Sequence, residues 1–173
     1  MVYGECGRFP LYIYSNIRVV KYWLRLLDMP VNRLPRKCYN MMILFDNNGK
    51  RNWVTGVREL LCKCGFGHVW ENQNVQFKSS FIISFTQRLK DIYLQTWIAS
   101  LNLANKCFYY RMFKYEITEE EYLSKVNVKK FRMALSRFRC SSHDLFVETG
   151  RYLNINRNER ICTLCNLNVV EIG

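Results

Sequence analysis

Phe81-Ile82-Ile83-Ser84-Phe85-Thr86-Gln87-Arg88-Leu89-Lys90-Asp91-Ile92-Tyr93 decides the fold class. Phe81, Ile82, Phe85, Leu89, Ile92 and Tyr93 recur at helical steps, and Trp97 extends the row. Apolar residues so spaced share one side of a 3.6-residue helix, whereas a half-buried strand would need every second residue. The pattern runs over 77–101, several times the length of an ordinary strand. This segment is expected to be the core helix. An aromatic row at that spacing is read as packing surface rather than as a base-stacking platform.

The same period appears upstream. From Leu11 on, Ile13, Ile17, Val20, Trp23, Leu24 and Leu27 form a row, with Arg18, Lys21 and Arg25 opposite. Pro30 and Pro35 break the chain, and Met29-Pro30-Val31-Asn32 reads as a loop. Pro35 suits the first turn of a helix over 35–45, because the N–H it lacks would find no helical partner there. Asp46-Asn47-Asn48-Gly49 marks a turn. Trp53, Val57, Leu60, Leu61 and Cys64 predict a helix over 53–64, with Gly65 as a left-handed cap. Residues 1–10 read as an irregular lead-in, and 65–70 as a connector anchored by its aromatics. His68 is expected to pack or lie at the surface.

Downstream, 106–115 interleaves Phe108, Tyr109, Tyr110 and Phe113 with Lys106, Arg111 and Lys114. Such interleaving suits single-stranded nucleic acid, but a buried helix with basic edges is the preferred reading. Thr118-Glu119-Glu120-Glu121 has the form of a capping box, and Asn127 suits the cap of the helix after it. Beyond Ser141-Ser142 the chain reads as loop with one short strand. The expected fold is mainly α: a helical bundle of about six or seven helices with a short irregular zinc-knuckle-like tail. The expected domains are a helical one over 1–140 and a loop-rich tail over 141–173.

Lys and Arg number 26 against 14 Asp and Glu, a formal charge of +12. That surplus favours a polyanion over an acidic protein partner. A hydrophobic content of 49% argues against intrinsic disorder. No apolar run approaches the roughly 20 residues of a membrane span, and residues 1–10 carry no signal-peptide core. An intracellular location, nucleus or cytoplasm, is the expectation, with no membrane partner and no small-molecule substrate evident. Without a secretion signal the eight cysteines are not read as a disulfide framework. Cys38, Cys62, Cys64 and Cys107 are expected to serve as small buried apolar residues.

Val128-Lys129-Lys130-Phe131-Arg132-Met133-Ala134-Leu135-Ser136-Arg137-Phe138-Arg139 contains no acid. Val128, Phe131, Ala134, Leu135 and Phe138 share one arc, expected to be the anchored face. Lys129, Lys130, Arg132, Arg137 and Arg139 occupy the rest of the wheel and suit phosphates, since each contact releases a counterion. The alternative is an ordinary solvated face. Arg151 joins these as a candidate phosphate contact.

Cys162-x-x-Cys165 has the spacing of half a zinc site, two thiolates from one turn taking adjacent corners of a tetrahedron. Cys140-x-x-His143 can complete four ligands. An unfilled half-site and plain structural cysteines are the other readings. No Gly-rich phosphate loop, nucleophile elbow or carboxylate cluster for magnesium is evident, so no enzymatic activity is expected.

Several stretches resemble the C-terminal region of LINE-type, non-long-terminal-repeat retrotransposon reverse transcriptases. They are Val2-Tyr3-Gly4-Glu5-Cys6-Gly7-Arg8-Phe9-Pro10, Lys21-Tyr22-Trp23-Leu24-Arg25-Leu26-Leu27 and Lys130-Phe131-Arg132. Phe138-Arg139-Cys140-Ser141-Ser142-His143, Glu148-Thr149-Gly150-Arg151-Tyr152 and the Arg160-x-Cys162-x-x-Cys165 ending are also similar. The resemblance implies a helical post-thumb region followed by a zinc-binding module that helps bind template RNA or target DNA. It implies Cys162 and Cys165 as the first two zinc ligands, with the others beyond Gly173, and it brings no catalytic aspartates. On that basis the chain is expected to be a non-catalytic, nucleic-acid-binding fragment of such an enzyme. The alternatives are a helical domain that docks on a polymerase, or a functionless relic.

Overall fold

The computed structural model describes residues 1–104 and 110–162. Among these the fold is mainly α, with ten α-helices and no strand. Several helices are single turns, which is why the count exceeds the six or seven expected. The chain forms two compact units: a central unit, Phe9–Tyr93, and a terminal unit of Met1–Arg8 with Leu94–Gly173. This division does not coincide with the 140/141 boundary expected from sequence.

The central unit is built on α2 (Leu11–Asp28), α3 (Leu34–Asn47), α4 (Trp53–Lys63), α5 (Gly67–Asn72) and the first part of α6 (Lys78–Leu103). The rows expected to be apolar faces are buried. Ile13, Val20, Trp23 and Leu24 of α2 meet Val54, Val57 and Leu61 of α4, and Phe85 and Leu89 of α6. Burial at about 25 cal/mol per Å² of apolar surface removed from water drives this assembly. One polar chain crosses it. Trp23 Nε1 donates to the Tyr39 hydroxyl at 2.9 Å, and that hydroxyl donates to Gln73 Oε1 at 2.8 Å. The buried indole N–H is thus satisfied, and Trp23 also stacks on Trp70 with ring centres 5.7 Å apart.

Asn52 caps α4: its side chain accepts from Val54 N at 2.8 Å, while Thr55 Oγ1 accepts from Asn52 N at 2.9 Å. Thr55 also donates to the buried Asp46 at 2.6 Å, and Arg58 pairs with the same carboxylate at 3.2 Å. Gly65 takes the left-handed conformation expected of it, with φ +83°. Residues 65–70 hold more than a connector, since Gly67–Asn72 is helical. Cys64 is buried as expected, but Cys38 and Cys62 are exposed, and Cys107 lies outside the described residues.

In the terminal unit, 1–10 is not a loose lead-in. Val2–Glu5 forms a short helix, α1, and Cys6 makes an antiparallel bridge to Glu119. Gly4 is required by close approach: a Cβ there would stand 2.6 Å from both the Trp97 ring and the Tyr110 hydroxyl. α7 (Tyr110–Phe113), α8 (Glu121–Lys125), α9 (Lys129–Arg139) and α10 (Phe146–Thr149) complete the described helices, and two 3-10 turns follow.

Candidate nucleic-acid interface

α9 forms where the sequence places it, but it is turned the other way round. Phe131 is 62% exposed, Phe138 43% and Leu135 37%, so the arc expected to anchor the helix faces solvent. The less exposed residues are Arg132, Ser136 and Arg139, at i, i+4 and i+7 on one stripe. The helix docks through polar atoms. Tyr122 and Ser136 join their hydroxyls at 2.8 Å, and the Arg132 guanidinium reaches toward the carbonyls of Leu123 and Val126 at 3.4 and 3.5 Å.

The reason is a buried carboxylate. Glu5 is only 5% exposed, and an ionised carboxylate away from water needs a cation and hydrogen bonds. Arg139 supplies the cation, its Nε 3.0 Å from Glu5 Oε2 and its Nη2 2.6 Å from Glu120. Tyr122 donates to the same Glu5 oxygen at 2.7 Å. Lys114, also buried, pairs with Glu120 and donates to the Thr118 carbonyl at 2.7 Å. The Arg139 guanidinium also lies near the Phe113 and Tyr122 rings, 4.4 and 5.3 Å from their centres.

This cluster bears on two sequence readings. Arg139 turns its Nε and Nη2 to Glu5 and Glu120 rather than to solvent. Thr118–Glu121 is not a capping box: α8 starts at Glu121 without a side-chain cap. Thr118 and Glu120 instead accept from Lys114, and Glu119 lies in the bridge to Cys6. Nor does Asn127 cap α9, whose N-cap is Val128 with no side-chain bond.

Burial foremost, and the Glu5 carboxylate beside it, push the Tyr122 phenol up to about 12 despite the lowering contact with Ser136. Burial and Glu5 likewise raise Tyr110. An unfolded tyrosine titrates at the ordinary value of 10, so between there and 12 the folded chain holds protons that the unfolded chain has lost. The resulting stabilisation is complete below pH 10 and disappears as pH rises through 12. Urea midpoints are therefore expected to fall across that window, and Tyr122→Phe should flatten the fall. An unchanged slope in that variant would show that Tyr122 is not the responsible group.

The remaining candidates divide. Lys129, Lys130 and Arg137 are exposed and have no acidic partner among the described residues. With Met133 and Ala134 they line a shallow depression on the helix. Arg151 lies on the 3-10 turn Gly150–Leu153, its guanidinium 5.0 Å from the centre of the Tyr152 ring. Arg132 is half-buried and faces backbone carbonyls. His143 stacks on Phe138 with ring centres 5.1 Å apart, which extends the outward aromatic row beyond the helix. The helical period located both faces of α9. No sequence signal could have found the Glu5 contact that chooses between them.

His143 Nδ1 accepts from Leu145 N at 3.3 Å, which leaves Nε2 as its free nitrogen. Among the described residues no group of three or more His, Cys, Asp or Glu side chains is placed to hold a metal ion. Cys140, His143 and Cys162 are among the described residues, and Cys165 lies outside them. Among the described residues, no helix is long and apolar enough to cross a membrane.

No protein-family model, curated protein or solved structure matches the chain.

Proposed function

We propose that this protein binds RNA or DNA without catalysing a reaction, gripping phosphates through the exposed cations of α9. The observation that carries the reading is Lys129, Lys130 and Arg137 standing exposed, without an acidic partner among the described residues, beside outward Phe131 and Phe138. Neutralising a phosphate releases condensed counterions, and exposed rings next to cations offer stacking surface for unpaired bases. The formal charge of +12 favours the same partner. The resemblance to the post-thumb region of LINE-type reverse transcriptases belongs to this proposal, as does a zinc role for Cys162 and Cys165. The phosphate grip requires neither.

Fluorescence anisotropy of labelled RNA and duplex DNA across a salt series tests it. Lys129→Ala, Lys130→Ala and Arg137→Ala together are expected to reduce the slope of log K against log salt by about 2 to 3, at 0.7 to 0.9 per lost contact. Absence of binding at low salt, or an unchanged slope in the triple variant, would overturn it. The outward apolar row favours a second reading, a helical module docking on another protein such as the rest of a polymerase. Under that reading the chain shows no oligonucleotide binding even at low salt.

A further inference from the structure

We propose that the solvent face of α2, in the central unit, is a second surface for single-stranded nucleic acid. The proposal rests on the nucleic-acid reading above. At about 100° per residue, Leu11, Tyr14, Arg18, Lys21, Tyr22 and Arg25 fall within an arc of about 100° on α2. All six are exposed. Arg18, Lys21 and Arg25 have no acidic partner among the described residues, while Asp28, the acid nearest them on the helix, is taken by Lys78. Three cations are therefore held on one rigid face with no direct ion-pair partner among the described residues, Asp28 beside them being paired with Lys78.

The shape of the surface continues the charge. One depression is lined by Tyr14, Ser15, Arg18 and Lys21, and a second, which shares Lys21, by Leu24, Arg25, Asp28, Lys78 and Ile82. Arg18 and Arg25 are seven residues apart, so about 10.5 Å along the helix axis at 1.5 Å per residue.

The exposed rings decide the class of partner. Tyr14 is 45% and Tyr22 46% exposed, and both stand among the cations. Cations that track a backbone beside rings that accept bases are the elements of single-strand binding. A lipid surface fits poorly, because the opposite, apolar face of α2 is spent in the core through Ile13, Val20 and Trp23 and cannot insert.

The test is a titration of the full chain with oligouridylate of about eight nucleotides, within the site sizes usual for single-strand modules. Compared are the wild type, an α2 variant and an α9 variant. The α2 variant carries Arg18→Gln, Lys21→Gln and Arg25→Gln; the α9 variant carries Lys129→Gln, Lys130→Gln and Arg137→Gln. Glutamine keeps helix propensity and the side-chain stem, and far-UV circular dichroism checks that each variant folds. The wild type is expected to bind two oligonucleotides per chain and each variant one. The site left in the α9 variant should show a salt slope of about −2, three contacts at 0.7 each. An α2 variant that still binds two, or an α9 variant that binds none, overturns this surface and leaves the α9 reading standing. An α9 variant that still binds two overturns the α9 reading instead, and a wild type that binds none overturns both. A duplex of the same length that saturates the α2 site equally well overturns the single-strand assignment.

Discussion

Trp23→Ala is expected to lower the stability of the central unit by about 4 kcal/mol, the upper range for removing a buried aromatic. Three losses coincide. The side chain is fully buried among Val20, Val57 and Leu61, so its removal leaves a cavity that helices in close contact cannot fully close. Its stack on Trp70 goes as well. The buried Tyr39 hydroxyl keeps Gln73 as acceptor but loses the indole N–H that donates to it, and an unmet buried polar group adds to the cost. Trp23→Phe keeps a ring and discards only the N–H and part of the volume, so it should cost about half as much. Urea unfolding of the full chain followed by far-UV circular dichroism measures both. A loss under about 1 kcal/mol for Trp23→Ala would be incompatible with the core described above.

The second large effect belongs to the terminal unit. Glu5→Ala is expected to cost about 3 kcal/mol, because breaking a buried ion pair from one side leaves the other charge uncompensated. Arg139 would keep Glu120 at 2.6 Å but lose both of its bonds to Glu5. The Tyr122 hydroxyl would lose its carboxylate acceptor. Glu5→Gln preserves the shape and an acceptor for Tyr122 but leaves the same charge uncompensated, so it should retain most of that cost. A small loss for Glu5→Gln beside a large one for Glu5→Ala would mean that shape rather than charge holds α1 in place. A negligible loss for both would mean that the pair with Arg139 contributes nothing to the fold.

The reversal of α9 has a consequence for this protein's interactions. Had Phe131 and Phe138 been packed inside, the helix would present charge alone. With the polar stripe inside and the rings outside, it presents charge and aromatic surface together, the combination that a flexible single strand can use. The proposed phosphate-gripping set is accordingly the exposed Lys129, Lys130 and Arg137, since Arg132 is half-buried and Arg139 is paired with carboxylates.

Local periodicity determined most of the helical elements. The rows at 11–27, 35–45, 53–64, 77–101 and 128–139 each became a helix with ends within a few residues of those expected, because the 3.6-residue repeat is a property of neighbouring residues alone. The short helices α1 and α5 escaped it, since a single turn is too brief to show a period. What the pattern cannot contain is the choice of which face finds a partner. That choice in α9 rests on Glu5 and Arg139, 134 positions apart in the chain. Only the folded terminal unit brings a carboxylate out of water at the place where an arginine can meet it. The cost of burying that charge alone outweighs the gain from burying Phe131 and Phe138.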